Sequence, residues 1–164
     1  MKILLFSDTH SYIDETILSY CEMADEVWHA GDIGDFSLVE RIQEIKPLRA
    51  VYGNIDGEAV RSTYPEDLWF EVEGLSIWMT HIGGYPPRYN SRVRKVLSGR
   101  QPDIFVCGHS HILKVLRDQE RRGMLCLNPG AAGKHGFQKV RTMLRFELQS
   151  GKVKGMEAIE LGKK

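Results

Sequence analysis

Five times along this chain a short apolar run breaks off into a polar block. Ile3-Leu4-Leu5-Phe6 leads into Asp8-Thr9-His10, Glu26-Val27-Trp28-His29-Ala30 into Gly31-Asp32, and Arg49-Ala50-Val51-Tyr52 into Gly53-Asn54. Ser76-Ile77-Trp78-Met79 runs into Thr80-His81, and Ile104-Phe105-Val106-Cys107 into Gly108-His109-Ser110-His111. Continuous apolar runs of this length read as strands covered on both faces. Polar residues at the C-terminal ends of such strands gather on one sheet edge, the edge where open α/β sheets bind ligands. Asp8, His10, Asp32, Asn54, His81, His109 and His111 can therefore converge on one point.

The segments between the runs support the same architecture. Ile13, Ile17, Leu18 and Cys21 form one apolar stripe and predict a helix over 14–23; Leu38, Val39, Ile42 and Ile45 predict another over 36–45, ended by Pro47. Three strand–helix alternations imply a βαβ core with right-handed crossovers. Two strands around Glu73-Gly74 form a hairpin that delivers His81, and 92–97 reads as a short helix. From His111 onward we expect mostly antiparallel strands near 112–117, 124–127, 140–148 and 153–160, with Arg121-Arg122-Gly123 and Ser150-Gly151-Lys152 as turns. The expected fold is α/β, one domain over residues 1–164, with two mixed sheets flanked by helices. That length is enough to bury a core without covalent staples.

Composition removes several classes of function. Lysines and arginines number 22 and acidic residues 22, so no global field recruits nucleic acid or an anionic membrane. The cysteines Cys21, Cys107 and Cys126 form no CxxC pair, which argues for a reducing compartment and against a thiolate zinc site. No apolar stretch is long enough to span a bilayer, and the first strand is too short for the core of a secretion signal. The expected location is the cytoplasm. An oligomer of identical chains is compatible with everything above.

Two carboxylates, one amide oxygen and four imidazoles make a ligand set for two metal ions. On extended backbone, side chains two apart share a face, so Asp8 with His10, and His109 with His111, can each grip one ion. Glycine before Asp32, Asn54 and His109 leaves room for close approach. Asp32 has two oxygens and is well placed to bridge. Two divalent ions bring four positive charges and the two aspartates cancel two, which leaves a site suited to phosphate. Donors of nitrogen and oxygen without thiolate favour manganese, iron, cobalt, nickel or zinc over magnesium or calcium. Manganese is the first expectation among them.

The order D-x-H, G-D-x-x-D, G-N-x-D, H and G-H-x-H resembles the calcineurin-like metallophosphoesterase family, and in particular its small single-domain bacterial and archaeal phosphodiesterases. The resemblance implies a four-layer α/β sandwich with a dinuclear centre. Asp8, His10, Asp32 and His111 would hold one ion, and Asp32, Asn54, His81 and His109 the other. Asp32, Asn54 and His81 are the candidate catalytic residues. The implied reaction is hydrolysis of a small phosphoester by a metal-bridging hydroxide. Asn128-Pro129-Gly130 is similar to the family's NPG turn, and Asp35 and Asp56 complete family patterns as supporting or turn residues. Two positions depart from the family. Ile55 stands where many members carry a histidine that protonates the leaving group, and Gly83 where they often carry a second histidine beyond His81. His135, in the Gly133-Lys134-His135-Gly136 loop, could replace the donor if that loop folds inward. Arg88, Arg92 and Lys95 read as one solvated helical face. The alternatives are a phosphomonoesterase or nucleotidase, or a non-catalytic scaffold of the same fold, as a vacuolar-sorting coat subunit is.

Overall fold

The computed structural model describes residues 1–164. Strands β1 (Lys2–Phe6), β2 (Glu26–His29) and β3 (Leu48–Ala50) run parallel, with α1 (Glu15–Met23) and α2 (Phe36–Gln43) as their crossovers. Both helices begin on an aspartate that caps a backbone N–H, Asp14 and Asp35. A further helix, α3 (Glu58–Thr63), lies where the sequence has no periodic stripe. Its N-cap is Gly57, without a side-chain bond, and Val60 is its one buried residue, so no local signal announces it.

Strands β4 (Asp67–Val72) and β5 (Leu75–Thr80) form the expected hairpin. Its turn residues Glu73 and Gly74 take φ of +52° and +77°, the left-handed pair whose twist matches a two-residue hairpin. A small ribbon of β6 (Gly84–Tyr85) and β7 (Arg88–Tyr89) comes next, then α4 (Ser91–Gly99) and β8 (Ile104–Val106). The chain ends with β9 (Leu113–Asp118), β10 (Met124–Pro129), β11 (Val140–Gln149) and β12 (Lys152–Lys163). One sheet has the order β12-β11-β1-β2-β3 and the other β4-β5-β8-β10-β9. Both are mixed. Antiparallel pairing after His111 holds for β9, β11 and β12, but β10 also pairs in parallel with β8.

Strand alternation explains why the apolar runs are unbroken. Leu4 and Phe6 of β1 face α1 and α2, meeting Ile17, Cys21, Leu38 and Ile42, while Ile3 and Leu5 face the other sheet, meeting Ile77, Met79, Ile104 and Val106. On the far side, Trp78, Phe105, Met124 and Cys126 pack under Val93 and Leu97 of α4. The layers are helices, sheet, sheet, helix: the four-layer sandwich with two mixed sheets. Each fully buried Leu, Ile or Phe contributes about 1.5–3 kcal/mol, so this core can hold strained loops at its edge.

Candidate metal centre

The parallel strands β1, β2, β3, β5 and β8 all end on the same edge, and the polar blocks leave from there. Asp8, Asp32 and His81 are buried, His10 and His111 half-buried, and Asn54 and His109 exposed. The side-chain donors of Asp8, His10 and His111 lie within 4.8 Å of one another, and so do those of Asp32, His81 and His109. Asp32 Oδ2 lies 3.5 Å from His10 Nε2 and 3.3 Å from His81 Nε2, between the two groups.

The blocks are not extended. Asp8, His10, Asp32, His109 and His111 have φ of +55°, +45°, +54°, +68° and +58°. Left-handed backbone outside glycine costs about 1–3 kcal/mol per residue and persists only where surroundings enforce it. Cross-links supply that enforcement. Asp8 N–H donates to Gly31 O (3.0 Å), His10 N–H to Asp32 O (3.0 Å), and Gly133 N–H to Asp8 O (3.1 Å). His109 N–H donates to Asp8 Oδ2 at 3.1 Å. This geometry replaces the sharing expected from strand alternation: His109 and His111 fall in different groups. Gly53 fits the same tight packing, because a side chain there would overlap the Asp32 carboxylate.

Two imidazoles are fixed so that one ring nitrogen points inward. His81 Nδ1–H donates to Ala30 O at 2.7 Å, and His111 Nδ1–H to Gln138 Oε1 at 2.8 Å. That leaves Nε2 of each as the free donor, the arrangement of metal-binding histidines. Asp8 Oδ1, His10 Nε2 and His81 Nε2 are buried without a hydrogen-bond partner. Buried polar atoms are nearly always bonded, so three such atoms facing one another fit cations between them. The electrostatics agree. Burial by itself would lower the His81 pKa, yet Asp32 and Asp8 outweigh it and raise it. The Asp8 contact at 3.2 Å likewise raises His111. Burial pulls on Asp32 the other way, but His81 and the Ile55 N–H hold its carboxyl below the usual range. Burial lowers His10. The pocket favours carboxylates and calls for positive charge.

Supporting residues surround these groups: Asp56 and Asn128 belong to motifs read in the sequence, whereas Gln138 and His29 belong to none. Asp56 accepts N–H bonds from Gly53 (2.7 Å) and Gly34 (2.8 Å), whereas Asp35 is exposed and caps α2. Asn128 Nδ2 donates to Gly108 O (2.8 Å) and Ser110 Oγ (3.1 Å), bracing the loop of His109 and His111. Beneath Asp32, buried His29 accepts from Gly31 N–H at 3.2 Å on Nδ1 and donates from Nε2 to Thr9 Oγ1 at 2.9 Å. Burial pushes its pKa down to about 4. Gln138 lies 27 residues from the His111 it holds, and His29 sits inside strand β2 and reaches Thr9 20 residues away, so only their chemistry, not their spacing, could have flagged them.

At the rim, the structure differs from the sequence reading at the arginines. Arg88 lies in β7, while Arg92 in α4 donates to Asp67 Oδ2 and Thr80 Oγ1, each at 2.7 Å, so no shared solvated face exists. Instead Arg92 lines a cleft of about 510 Å³ beside His81 and Asn54. His135 is exposed, but its ring centroid lies 4.6 Å from that of His10; Phe137, 76% exposed, stacks on His111 at 6.0 Å. Ile55 is exposed and gives only its N–H to Asp32. Any side chain at Gly83 would collide with Phe105 and Cys107, which accounts physically for the glycine there.

Residues 1–151 match the calcineurin-like phosphoesterase superfamily domain. A probable metallophosphoesterase of Methanothermobacter thermautotrophicus is 28% identical over 138 residues, covering 80% of this chain and 77% of that protein. A Thermotoga maritima protein solved by NMR superposes with a TM-score of 0.74 at 27% identity, covering 98% of this chain and 99% of that one. Wild-type Vps29 of Entamoeba histolytica, solved with Zn²⁺, gives 0.74 at 18% identity over 98% and 99% of the two chains, a likeness of fold alone. No helix is long and apolar enough to cross a membrane. With nearly the whole sequence inside one family's domain, and an archaeal relative named for metal-dependent phosphoester chemistry, the chain belongs to the calcineurin-like phosphoesterase superfamily.

Proposed function

We propose that residues 1–164 act as one metallophosphoesterase domain, a cytoplasmic phosphodiesterase with a dinuclear centre that hydrolyses a small phosphoester. The observation that carries this reading is the set of partnerless buried donors, Asp8 Oδ1, His10 Nε2 and His81 Nε2, facing one another across Asp32. Asp8, His10 and His111 hold one ion, His81, His109 and Asn54 the other, and Asp32 belongs to both. Divalent ions bound there would supply Lewis acidity and lower the pKa of coordinated water towards about 7. Manganese is the first ion to test, with zinc, iron, cobalt and nickel as its competitors.

The chain's own residues do the rest. Asp8 and Asp32 offset half the charge of two divalent ions, so the site retains a positive excess for a phosphoryl group. Asn54 and His81 face the cleft of about 510 Å³, which has room for the organic part of an ester. Ile55 has no proton to give, so good leaving groups are favoured. The three cysteines are free and buried, in keeping with a reducing cytoplasm.

Two other readings share the fold: a phosphomonoesterase, and an interaction scaffold like Vps29. Retention of all seven donors favours catalysis over the scaffold. The deciding experiment strips the purified protein of metal, reloads it with manganese or zinc, counts ions by elemental analysis, and assays aryl phosphodiesters against monoesters. Two ions per chain with faster diester turnover is the expected result. Fewer than two ions overturns the dinuclear centre, faster monoester turnover moves the assignment to a phosphomonoesterase, and two ions without turnover selects the scaffold.

A further inference from the structure

We infer that Arg61 is the positioning residue for Asn54, and thereby sets the affinity of one ion without touching it. The inference rests on the dinuclear reading. Arg61 lies on α3, the helix no sequence pattern announces, and reaches back over the loop that carries Asn54. Its Nε donates to Asp56 O at 2.5 Å, and its Nη2 to Gly53 O at 3.2 Å and Asn54 O at 3.3 Å. The guanidinium lies over the Tyr52 ring, 4.5 Å from its centroid. One side chain thus takes three carbonyls from a loop of four residues.

Two N–H groups of that loop are held by carboxylates, and that of Asp56 donates to Gly53 O at 3.3 Å. Gly53 N–H goes to Asp56 Oδ2 (2.7 Å) and Ile55 N–H to Asp32 Oδ1 (3.0 Å). Asp56 also takes Gly34 N–H at 2.8 Å, which ties the loop to the segment bearing Asp32. Carboxylates hold the donors and Arg61 holds the acceptors, so the backbone on both sides of Asn54 is fixed from opposite charges. Asn54 itself is exposed, so burial does not fix it. Without Arg61, the carbonyls of residues 54 and 56 turn to water, Gly53 O keeps only the Asp56 N–H at 3.3 Å, and the loop loses one of its two anchors. Lysine carries its three donors on one nitrogen in place of a planar fork, and cannot span the three carbonyls from two separate nitrogens as Arg61 does.

The asymmetry makes the inference testable. Outer partners of metal ligands are worth about 10–100-fold in metal affinity. In Arg61→Ala, one of the two ions should bind about 10–100-fold more weakly while the other keeps its wild-type affinity. Arg61→Lys should lie between. Manganese titration followed by EPR reads this directly: the wild type should give an exchange-coupled pair, and Arg61→Ala at the same loading the lines of an isolated ion. Native mass spectrometry counts the ions, and thermal melts of the metal-free proteins check folding. If the wild type takes fewer than two ions, the dinuclear reading falls and this inference with it. If the wild type takes two and Arg61→Ala takes two with unchanged affinity, the inference alone falls. Equal weakening of both ions also overturns it, because Arg61 would then only stabilise the fold. Should Arg61→Ala fail to fold, Arg61→Lys carries the test, and wild-type affinity for both ions in that variant overturns the inference.

Discussion

His111 takes its orientation from a side chain, Gln138, whereas His81 takes it from a backbone carbonyl, that of Ala30. The contrast runs through both ligand groups. Around Asp8, His10 and His111 the support is added by one loop, 133–138. Gln138 fixes His111 and donates in turn to Gly133 O (3.2 Å) and His135 O (2.6 Å), while His135 and Phe137 lay their rings on His10 and His111. Around Asp32 and His81 the support is built into strand ends and the backbone between them, while the Asn54 loop is held by the Asp56 carboxylate and the Arg61 guanidinium. A histidine ring held by a backbone carbonyl has no supporting side chain to remove at that point; one held by an amide side chain can be loosened alone. Two sites of similar donors can therefore differ in how readily they are emptied.

The largest expected effect comes where the groups meet. On the proposed dinuclear reading Asp32 belongs to both ions, so Asp32→Asn should cost more than the roughly 10–100-fold typical of an outer partner, in metal affinity and activity alike. Near-wild-type turnover with two bound ions would remove Asp32 from the shared position. Next is Gln138→Ala, which frees the His111 ring while leaving His81 on Ala30. We expect one ion to weaken by about 10–100-fold and the other to hold, measured by competition with a chelator. Loss of both ions in step would erase the contrast between side-chain and backbone support.

The leaving group probes the cleft side. With Ile55 at the donor position, rates across substituted aryl phosphodiesters should fall steeply as the leaving-group pKa rises. General acid catalysis supplies about 10²–10⁴-fold where it operates, so Ile55→His should recover about tenfold on alkyl esters once folding is verified. A flat dependence in the wild type means another donor exists, and His135, beside His10, is the first to mutate. The smallest effect concerns the layer beneath the site. Buried His29 is neutral with a pKa pushed down to about 4, while its ordinary value is 6.5. The unfolded chain therefore binds the extra proton first as pH falls, and stability drains away between those two values. Between about pH 7 and about pH 5.5 the loss from this group should be about 1 kcal/mol. Urea melts of metal-free protein should show that slope, and His29→Gln should flatten it. An unchanged slope would mean His29 is not what titrates.

Much of this arrangement is legible in the chain, for reasons that differ from residue to residue. Ile3 to Phe6 and Ile104 to Cys107 read as strands because both faces are covered, which leaves no polar position to confuse the pattern. Capping by Asp14 and Asp35 is local, within three residues of the N–H groups they accept. The donors at strand ends were visible for the same reason: each follows its strand directly. What stayed hidden was set from a distance. By strand alternation alone His109 and His111 look like a pair, whereas they fall in different groups, as the family resemblance implies; Asp8 and His10, equally left-handed, stay in one. Arg92 looked solvated because its partners Asp67 and Thr80 are 25 and 12 residues away. Gln138 lies 27 residues from His111, on a loop that nothing in its own composition marks.

The sequence by itself determined which edge of the molecule carries the chemistry and which donors reach it, because strand periodicity and the step from apolar run to polar block are local facts. Only the tertiary structure decided which ring nitrogen His81 and His111 offer, and that an unannounced helix would bring Arg61 back over the Asn54 loop. Those outcomes depend on hydrogen bonds between segments far apart in the chain. A left-handed residue at Asp8 or His111 is unfavourable in isolation, and it exists because Gly31, Asp32, Gly133 and Gln138 are folded against it.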